Sequence, residues 1–198
     1  FGTSNGNVRR NKLTDFQNLN ANGKIAMKLF EGDQLINVVT CSETSHIFLS
    51  TKLGKCIRFV AKDIRLFSGR SSVGVRGIKL QKNDSVISLA ILKEIKFSVD
   101  ERDNYLKISN LIRRKEEVEK TNITEEKLND LKINEEFILS VTDKGFGKRS
   151  SAYEYKVTKR GGLGIANMQL SDRNGDEVVA SFTITDLDQL ILVTDKGK

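Results

Sequence analysis

The chain of 198 residues carries 33 Lys and Arg against 26 Asp and Glu, which gives a net charge of +7 at pH 7. Apolar residues make up 38% of the sequence, enough for the core of one good-sized domain or two small ones, so wholesale disorder is excluded. No apolar run approaches the roughly 18 residues of a membrane span, and the excess of cations predicts an acidic partner: nucleic acid first, an anionic membrane surface second.

The two cysteines, Cys41 and Cys56, do not make a disulfide framework, which favours a reducing cytoplasm as the location. We expect each of them in a strand, as a small buried apolar residue. The chain opens at FGTSNG and stops at TDKGK, and we expect it to be a piece of a longer protein.

The first predicted element is a four-residue turn that recurs along the chain. It reads TSNG at 3–6, TKLG at 51–54, and TDKG at both 142–145 and 194–197, and the last three copies follow apolar, strand-like runs. The final glycine of each copy suits a turn that needs a positive φ, which only glycine adopts at little cost.

Two more landmarks follow the turn, in the same order, in three consecutive units. One fits Gly-x-x-x-[Ile/Met]-[Lys/Gln]-Leu and reads GKIAMKL (23–29), GVRGIKL (74–80) and GIANMQL (164–170). The other is an acidic turn before an apolar run, at Asp33, Asp84 and Asp176. The unit is about 50 residues long, and the second and third units are separated by an additional insertion of about 40 residues.

The composition of each unit predicts strands. Short Val/Ile/Leu/Phe-rich runs alternate with Gly, Asn, Asp and Ser, as strands alternate with turns. Repeats of 40–50 residues with four short strands are typical of propeller-like blades, which must stack because one blade cannot bury both faces of its sheet. The sequence therefore predicts an all-β fold of propeller-like blades, about three to three and a half of them within 1–198.

The insertion, residues 93–136, has a different composition. Its 10 Lys and Arg against 12 Asp and Glu give a net charge of −2 and leave +9 on the repeats. Apolar residues recur there at helical spacing, at Tyr105, Ile108, Leu111 and Ile112 and again at Leu128 and Leu131. This spacing predicts one or two amphipathic or partly disordered helices. We expect the insertion to leave and re-enter its blade at neighbouring points and to be dispensable for folding.

Cations recur in register after the turn glycine. GNVRR, GKCIR and GFGKR place Arg10, Arg58 and Arg149 at one repeat position, and further cations precede or lie within the second landmark. If blades radiate from one axis, equivalent positions lie at one radius, so we expect a curved track that neutralises nucleic-acid phosphates. The predicted track consists of Arg9, Arg10, Lys12, Lys55, Arg58, Arg70, Arg76, Lys79, Lys144, Lys148, Arg149, Lys159 and Arg160.

The glycine-rich stretch KRGGLG (159–164) also points to phosphate. It does not open a helix within a βαβ unit, so it is no dinucleotide fingerprint, and it lacks the Gly-Lys-[Ser/Thr] ending of a P-loop. RSSVGVRG (70–77) lies at the equivalent place and fails the same tests. We interpret both as loops between strands whose amides and cations meet a phosphodiester, and we expect the insertion to be dispensable for that contact.

Several motifs in combination resemble the C-terminal domain of the A subunit of bacterial DNA gyrase. They are GVRGIKL with its preceding SGRSS, TDKGFGKR, and the FGTSNGNVRR…DF…GKIAMKL pattern, and together they cover all of the chain except the insertion. The resemblance implies a β-pinwheel, whose four-stranded blades exchange a strand with a neighbour and carry DNA on a basic outer rim. It also implies non-sequence-specific wrapping of duplex DNA in support of ATP-dependent negative supercoiling.

The same resemblance implies the setting. The parent would be a type II DNA topoisomerase in the bacterial cytoplasm, associated with the nucleoid. Its further partners would be the N-terminal cleavage core of gyrase A and the separate gyrase B protein, and its ATP and Mg would belong to other domains or subunits.

One departure and two alternatives bear on this identification. The family's gyrase box, QRRGGKG, sits in the first blade, whereas KRGGLG falls by register in the corresponding loop of a later blade, so only a phosphate contact at the rim is carried over. The equivalent C-terminal domain of topoisomerase IV stays open, as does a protein-binding propeller whose positive charge is incidental.

A catalytic role finds little support in the sequence. The one histidine, His46, precedes IFLS and is interpreted as a strand-start residue. No Cys/His cluster has the spacing of zinc ligands. The tyrosines, Tyr105, Tyr153 and Tyr155, lie in the insertion or beside a rim loop. We therefore predict no catalytic residue, metal site or cofactor in this chain.

Overall fold

The computed structural model describes residues 1–18, 20–117, 123–193 and 197. The strands are β1 (Gly2–Thr3), β2 (Asn7–Val8), β3 (Leu35–Asn37), β4 (His46–Thr51), β5 (Lys55–Val60), β6 (Val75–Arg76), β7 (Val86–Leu92), β8 (Phe137–Thr142), β9 (Gly147–Ser151), β10 (Ile165–Ala166) and β11 (Val178–Ile184). The helices are α1 (Val99–Arg114) and α2 (Glu125–Ile133), and short 3-10 helices span Leu13–Phe16, Ala61–Asp63 and Ala152–Glu154. The predicted fourth turn, TDKG at 194–197, lies largely outside the described residues.

Within the described residues, the strands form three antiparallel sheets, one for each repeat unit. The first sheet has the order β3-β1-β2-β6, the second β10-β5-β4-β7 and the third β11-β8-β9. β6 belongs to the second unit yet pairs with β2 of the first, and β10 belongs to the third unit yet pairs with β5 of the second. The predicted four-stranded blades are therefore confirmed for two sheets, and a strand exchanged between neighbours joins each of these two sheets to the next unit.

The turn glycine is the point where the exchanged strand arrives. The Gly54 carbonyl accepts hydrogen bonds from the backbone N–H groups of Asn167 (2.8 Å) and Met168 (3.1 Å), and Gly6 receives Gly77 and Ile78 in the same way. Gly54 has a φ of 77°, and a Cβ there would collide with the Met168 carbonyl oxygen. Glycine is needed for the left-handed backbone and for the close approach of the next unit.

The acidic landmark closes the turn from the other side. One carboxylate oxygen of Asp84 accepts the backbone N–H of Leu53 at 2.9 Å, and that of Asp33 accepts the N–H of Asn5 at the same distance. Leu53 and Asn5 each precede a turn glycine, so both carboxylates satisfy the same backbone donor. Two landmarks of the sequence thus meet in one structure.

Apolar cores fill the junctions between neighbouring sheets. Val8 of the first sheet packs with Leu49 and Phe59 of the second, and Phe48 of the second packs with Ile138 of the third. Cys56 lies buried in the second of these cores, as expected. The same expectation was wrong for Cys41, which is exposed and lies outside any strand.

The insertion folds into the predicted helices and packs onto the third unit. A capping box of Ser98 and Glu101 starts α1, and Tyr105 and Leu131 pack against the buried Tyr153. Its ends meet, because the Lys93 N–H donates to the Glu136 carboxylate at 2.7 Å. Within the described ranges, neither helix has the length and apolarity to cross a membrane.

Candidate nucleic-acid interface

The thirteen predicted cations separate into three groups by exposure. Two are buried, Arg9 and Arg58. Four are partly buried: Arg10, Lys55, Arg70 and Arg160. Seven are exposed: Lys12, Arg76, Lys79, Lys144, Lys148, Arg149 and Lys159. Only the last two groups present charge to a partner, so the predicted track is narrower than the sequence suggested.

Arg58 lies inside the protein and cannot reach a phosphate. Its residue is 4% exposed, and its guanidinium donates to the Ala152 carbonyl at 2.7 Å and to Nδ1 of His46 at 2.9 and 3.1 Å. Burial lowers the pKa of Arg58 to about 10. The repeat register places this residue correctly in the chain, but the register does not reveal that it faces the next unit. Arg58 therefore does not form part of the exposed surface of the predicted track.

Arg9 is also buried and is not part of the exposed surface of the predicted track, because its side chain holds a loop in place. It is 1% exposed and donates to the carbonyl (2.6 Å) and the hydroxyl (2.8 Å) of Ser72, within the stretch RSSVGVRG. Its guanidinium carbon also lies 4.8 Å from the centre of the Phe67 ring. The buried Arg9 side chain therefore holds the loop that contains Ser72 in place.

The loop KRGGLG folds back onto the exchanged strand β6 and the residues after it. The Lys79 N–H donates to the Gly162 carbonyl at 2.8 Å, and Arg160 donates to the carbonyls of Arg76 (3.0 Å) and Asp63 (2.9 Å). This packing brings cations of two successive units together. We call Arg76, Lys79, Lys159 and Arg160 the loop patch.

A second group of cations lies along the other exchanged strand. Lys55 pairs across the sheet with Ala166 of β10, and the Lys148 ammonium donates to the Asn167 carbonyl at 3.1 Å. Both lysines lie near Cys56, where their charge partly opposes the rise in the thiol pKa, to about 12, that burial causes. Cations therefore follow β6 and β10 alike.

The outermost cations are held less tightly. Lys12 precedes the 3-10 helix Leu13–Phe16, and the Lys144 ammonium donates to the Asp172 carbonyl. Arg149 pairs with Asp186 and lies over the ring of Phe137. An ion pair at this exposure contributes little to stability, so Arg149 remains available to an anion.

Sequence reasoning missed a further pair of exposed cations. Arg65 and Lys156 both stand eleven residues after a turn glycine, and both are exposed. Arg160 bonds to the carbonyl of Asp63, which brings the segment that carries Arg65 beside the loop patch. Both lie seven residues after the arginine that follows the turn, Arg58 or Arg149, so an alignment of the second and third units at that position would have identified them.

The tyrosines and the histidine are part of the packing. Tyr105, Tyr153 and Tyr155 are buried, and burial raises the pKa of each. His46 is the first residue of β4, as interpreted from the sequence. Its ring accepts from Arg58 through Nδ1, so the neutral ring carries its proton on Nε2. Among the described residues, no cluster of His, Cys, Asp and Glu could hold a metal ion.

The repeat units match a known family model. The model described as "DNA gyrase C-terminal domain, beta-propeller" matches residues 1–42, 45–93 and 136–185, and so omits nearly all of the insertion. The A subunit of DNA gyrase from Granulibacter bethesdensis is 46% identical over the whole chain, and that from Escherichia coli is 30% identical. The chain spans 23% and 18% of the length of these relatives.

Solved structures share the fold. The crystal structure of the C-terminal domain of DNA topoisomerase IV superposes with a TM-score of 0.72 at 19% identity and covers all of this chain and 49% of its own. The structure of a DNA gyrase A C-terminal domain gives a TM-score of 0.64 at 21% identity, over 93% of this chain and 48% of that one. At these identities the likeness concerns the fold alone.

Proposed function

Because the chain belongs to the DNA gyrase C-terminal domain family, we propose that it binds duplex DNA without sequence specificity and wraps it around a basic surface. In the longer parent protein this wrapping would support ATP-dependent negative supercoiling. The loop patch carries the proposal, because it gathers cations from two successive units at a glycine-rich loop. The DNA-contacting set is the exposed and partly buried cations of the predicted track, extended by Arg65 and Lys156.

The chemistry of this surface suits phosphates better than bases. Reading a sequence requires side chains that reach base edges, usually from a helix or a ribbon inserted into a groove. Here the cations stand on short strands, such as the two-residue β6 and the five-residue β9, and on the loops between strands, which meet a phosphate backbone more readily. Binding should therefore weaken steeply with salt, with a log–log slope of about −0.9 per phosphate contacted.

The parent's remaining parts belong to the same proposal. They are the N-terminal cleavage core of gyrase A, the gyrase B protein, and ATP with Mg held outside this chain, in the bacterial cytoplasm at the nucleoid. This chain would contribute the DNA path and no catalytic group.

A second candidate is the equivalent C-terminal domain of topoisomerase IV. The shared fold, with a TM-score of 0.72 to such a domain, is compatible with this candidate. The two candidates differ in the topology they produce, since only the wrapping candidate predicts a change in linking number. Ligating nicked circular DNA in the presence of the chain distinguishes them: a shift in linking number favours wrapping, and binding without a shift favours the second candidate.

The experiment that tests DNA contact by the loop patch uses Lys79→Gln with Lys159→Gln. Both lysines are exposed, and the third unit already has Gln169 at the position of Lys79. Arg160 is left intact because its guanidinium holds the loop. Two phosphate contacts fewer should make the salt slope shallower by up to about 1.8 for every duplex tested.

The matched control removes the same charge from the insertion, as Lys107→Gln with Arg114→Gln, both exposed on α1. Its salt slope should stay at the wild-type value. If the salt slope became equally shallow in both double variants, the effect would come from net charge and not from contacts made by the loop patch. A flat salt dependence of the wild type, or strong preference for one sequence, would contradict the proposed function.

A further inference from the structure

The arginine four residues after the turn glycine makes the same contact at both junctions between sheets. Arg10 donates through Nε to the Ile64 carbonyl at 3.0 Å, and Arg58 donates through one terminal nitrogen to the Tyr155 carbonyl at 3.4 Å. Ile64 and Tyr155 occupy the same repeat position, ten residues after the turn glycine of the next unit. At both junctions, an arginine of one unit therefore binds the carbonyl oxygen at the same repeat position of the next unit.

We propose that this arginine is the joint that fixes the angle between successive sheets, and that Arg58 makes the second junction the stiffer of the two. The exchanged strands alone give a weak angular constraint, since β6 and β10 are two residues long. The apolar cores attract without direction. A planar guanidinium with donors at fixed angles adds the directional contact that these two lack.

The first junction has the simpler joint. The Arg10 side chain is 16% exposed, bonds to one carbonyl of the second unit, and pairs with Glu43, whose side chain is 73% exposed. An exposed ion pair contributes little, so a single carbonyl contact carries most of what the Arg10 side chain adds to the Arg9–Ser72 hydrogen bonds and the backbone contacts across this junction. This junction is the natural reference for the other.

The second junction is held by a buried network. Besides Tyr155, Arg58 donates to the carbonyls of Ala152 (2.7 Å) and Lys93 (3.4 Å) and to the His46 ring. These acceptors belong to the second unit, the third unit and the start of the insertion, so one guanidinium ties three segments together. The His46 ring and the carbonyls of Ala152 and Tyr155 would each lose a buried hydrogen-bond partner if Arg58 were removed.

The helical insertion braces the same joint. Lys93 and Glu136, its two ends, meet beside Arg58. Tyr153 follows Ala152 directly; its hydroxyl donates to the Leu131 carbonyl of α2 at 2.9 Å, and its ring packs edge-on against Tyr105 at 5.5 Å. Both helices of the insertion therefore pack on the turn that Arg58 contacts, which gives the insertion a positioning role.

The consequence for DNA rests on the proposed function. The exposed cations belong to different units, so their spacing depends on the angles between the sheets. A looser joint should leave contacts within a short duplex intact and misplace those along a long one, which loses the gain from simultaneous engagement.

The angle can be measured directly on the full chain with pairs of spin labels. Glu31, Lys82 and Arg173 are exposed turn residues of the first, second and third units, and each can be replaced by cysteine. Cys41 is changed to serine beforehand, and Cys56 is buried and does not react. Double electron–electron resonance then measures the distance between labels at 31 and 82 across the first junction, and between labels at 82 and 173 across the second.

Arg58→Met should shift or broaden the distance across the second junction and leave the first unchanged, and Arg10→Met should do the reverse. Arg58→Lys keeps the charge but not the fork of donors, so it should not restore the narrow distribution. Unchanged distances in both methionine variants would overturn the proposal, as would equal shifts at both junctions. If Arg58→Met fails to fold, the distance across the first junction in Arg10→Met tests the proposal. Arg10 is less buried than Arg58, so its replacement should disturb folding less.

DNA binding completes the test. Arg58→Met should bind a duplex of about 10 bp as the wild type does and lose about fivefold or more on a duplex of about 60 bp. Equal losses on both duplexes would mean a local folding defect and would contradict a positioning role. If the wild type binds neither duplex, the proposed function fails, while the label distances still report on the joint.

Discussion

Replacing the turn glycine by alanine tests the strand exchange, and the chain supplies its own control. Gly54 and Gly145 end equivalent turns with φ of 77° and 79°. A Cβ on Gly54 would collide with the Met168 carbonyl of the exchanged segment, whereas a Cβ on Gly145 has no atom within 4 Å among the described residues. The two substitutions therefore impose the same backbone strain, but only Gly54→Ala also collides with the exchanged segment of the next unit.

The magnitudes follow from these contacts. Alanine in the left-handed region costs roughly 1–2 kcal/mol, and Gly145→Ala should lose about that much free energy of unfolding. Gly54→Ala should lose the same amount and, in addition, the two hydrogen bonds that its carbonyl accepts, at about 1 kcal/mol each. The total is roughly 3–4 kcal/mol. Gly6→Ala should fall between the two, because its Cβ would lie 3.0 Å from the Ile78 carbonyl oxygen.

Urea unfolding followed by circular dichroism measures these differences, and thermal melts check them. For a chain of this size, about 2 kcal/mol between Gly54→Ala and Gly145→Ala corresponds to roughly 4–8 °C in Tm. Equal losses in the two variants would refute the reasoning, because the exchanged segment would then contribute nothing at this point.

Two further predictions concern the buried network and the insertion. Burial and the neighbouring Arg58 guanidinium lower the pKa of His46 below its ordinary value of 6.5. As the pH falls below about 6.5, the unfolded chain therefore takes up a proton that the folded chain does not. The free energy of unfolding should decrease over that pH range. His46→Asn keeps an acceptor for Arg58 and should flatten that part of the pH profile in urea melts; an unchanged slope would assign it to other groups. Replacing residues 96–134 by a short Gly/Ser linker should cost about 2 kcal/mol, because it uncovers Tyr153, which is 2% exposed. This revises the expectation of dispensability for folding, while affinity for a short duplex should persist; a loss beyond about tenfold in filter binding would place cations of the insertion on the DNA path.

The repeat and its local chemistry could be predicted from the sequence. A turn that needs a positive φ requires glycine, and Gly6, Gly54 and Gly145 all have the φ that the repeat implied. The helices of the insertion likewise follow from the spacing of residues such as Tyr105 and Ile108, which the structure buries on one face. These features depend on residues close together in the chain, so a single sequence contains them.

The exposure of the cations was decided by the tertiary structure alone. Lys148 and Arg9 both stand three residues after a turn glycine, yet the first is exposed and the second buried. Arg58 shares its position with the exposed Arg149 and lies in the protein interior. A repeat register fixes where a side chain starts on its own sheet. Whether it meets water or a carbonyl depends on the unit packed against that sheet, and for Arg58 the contacting Ala152 lies 94 positions away in the chain.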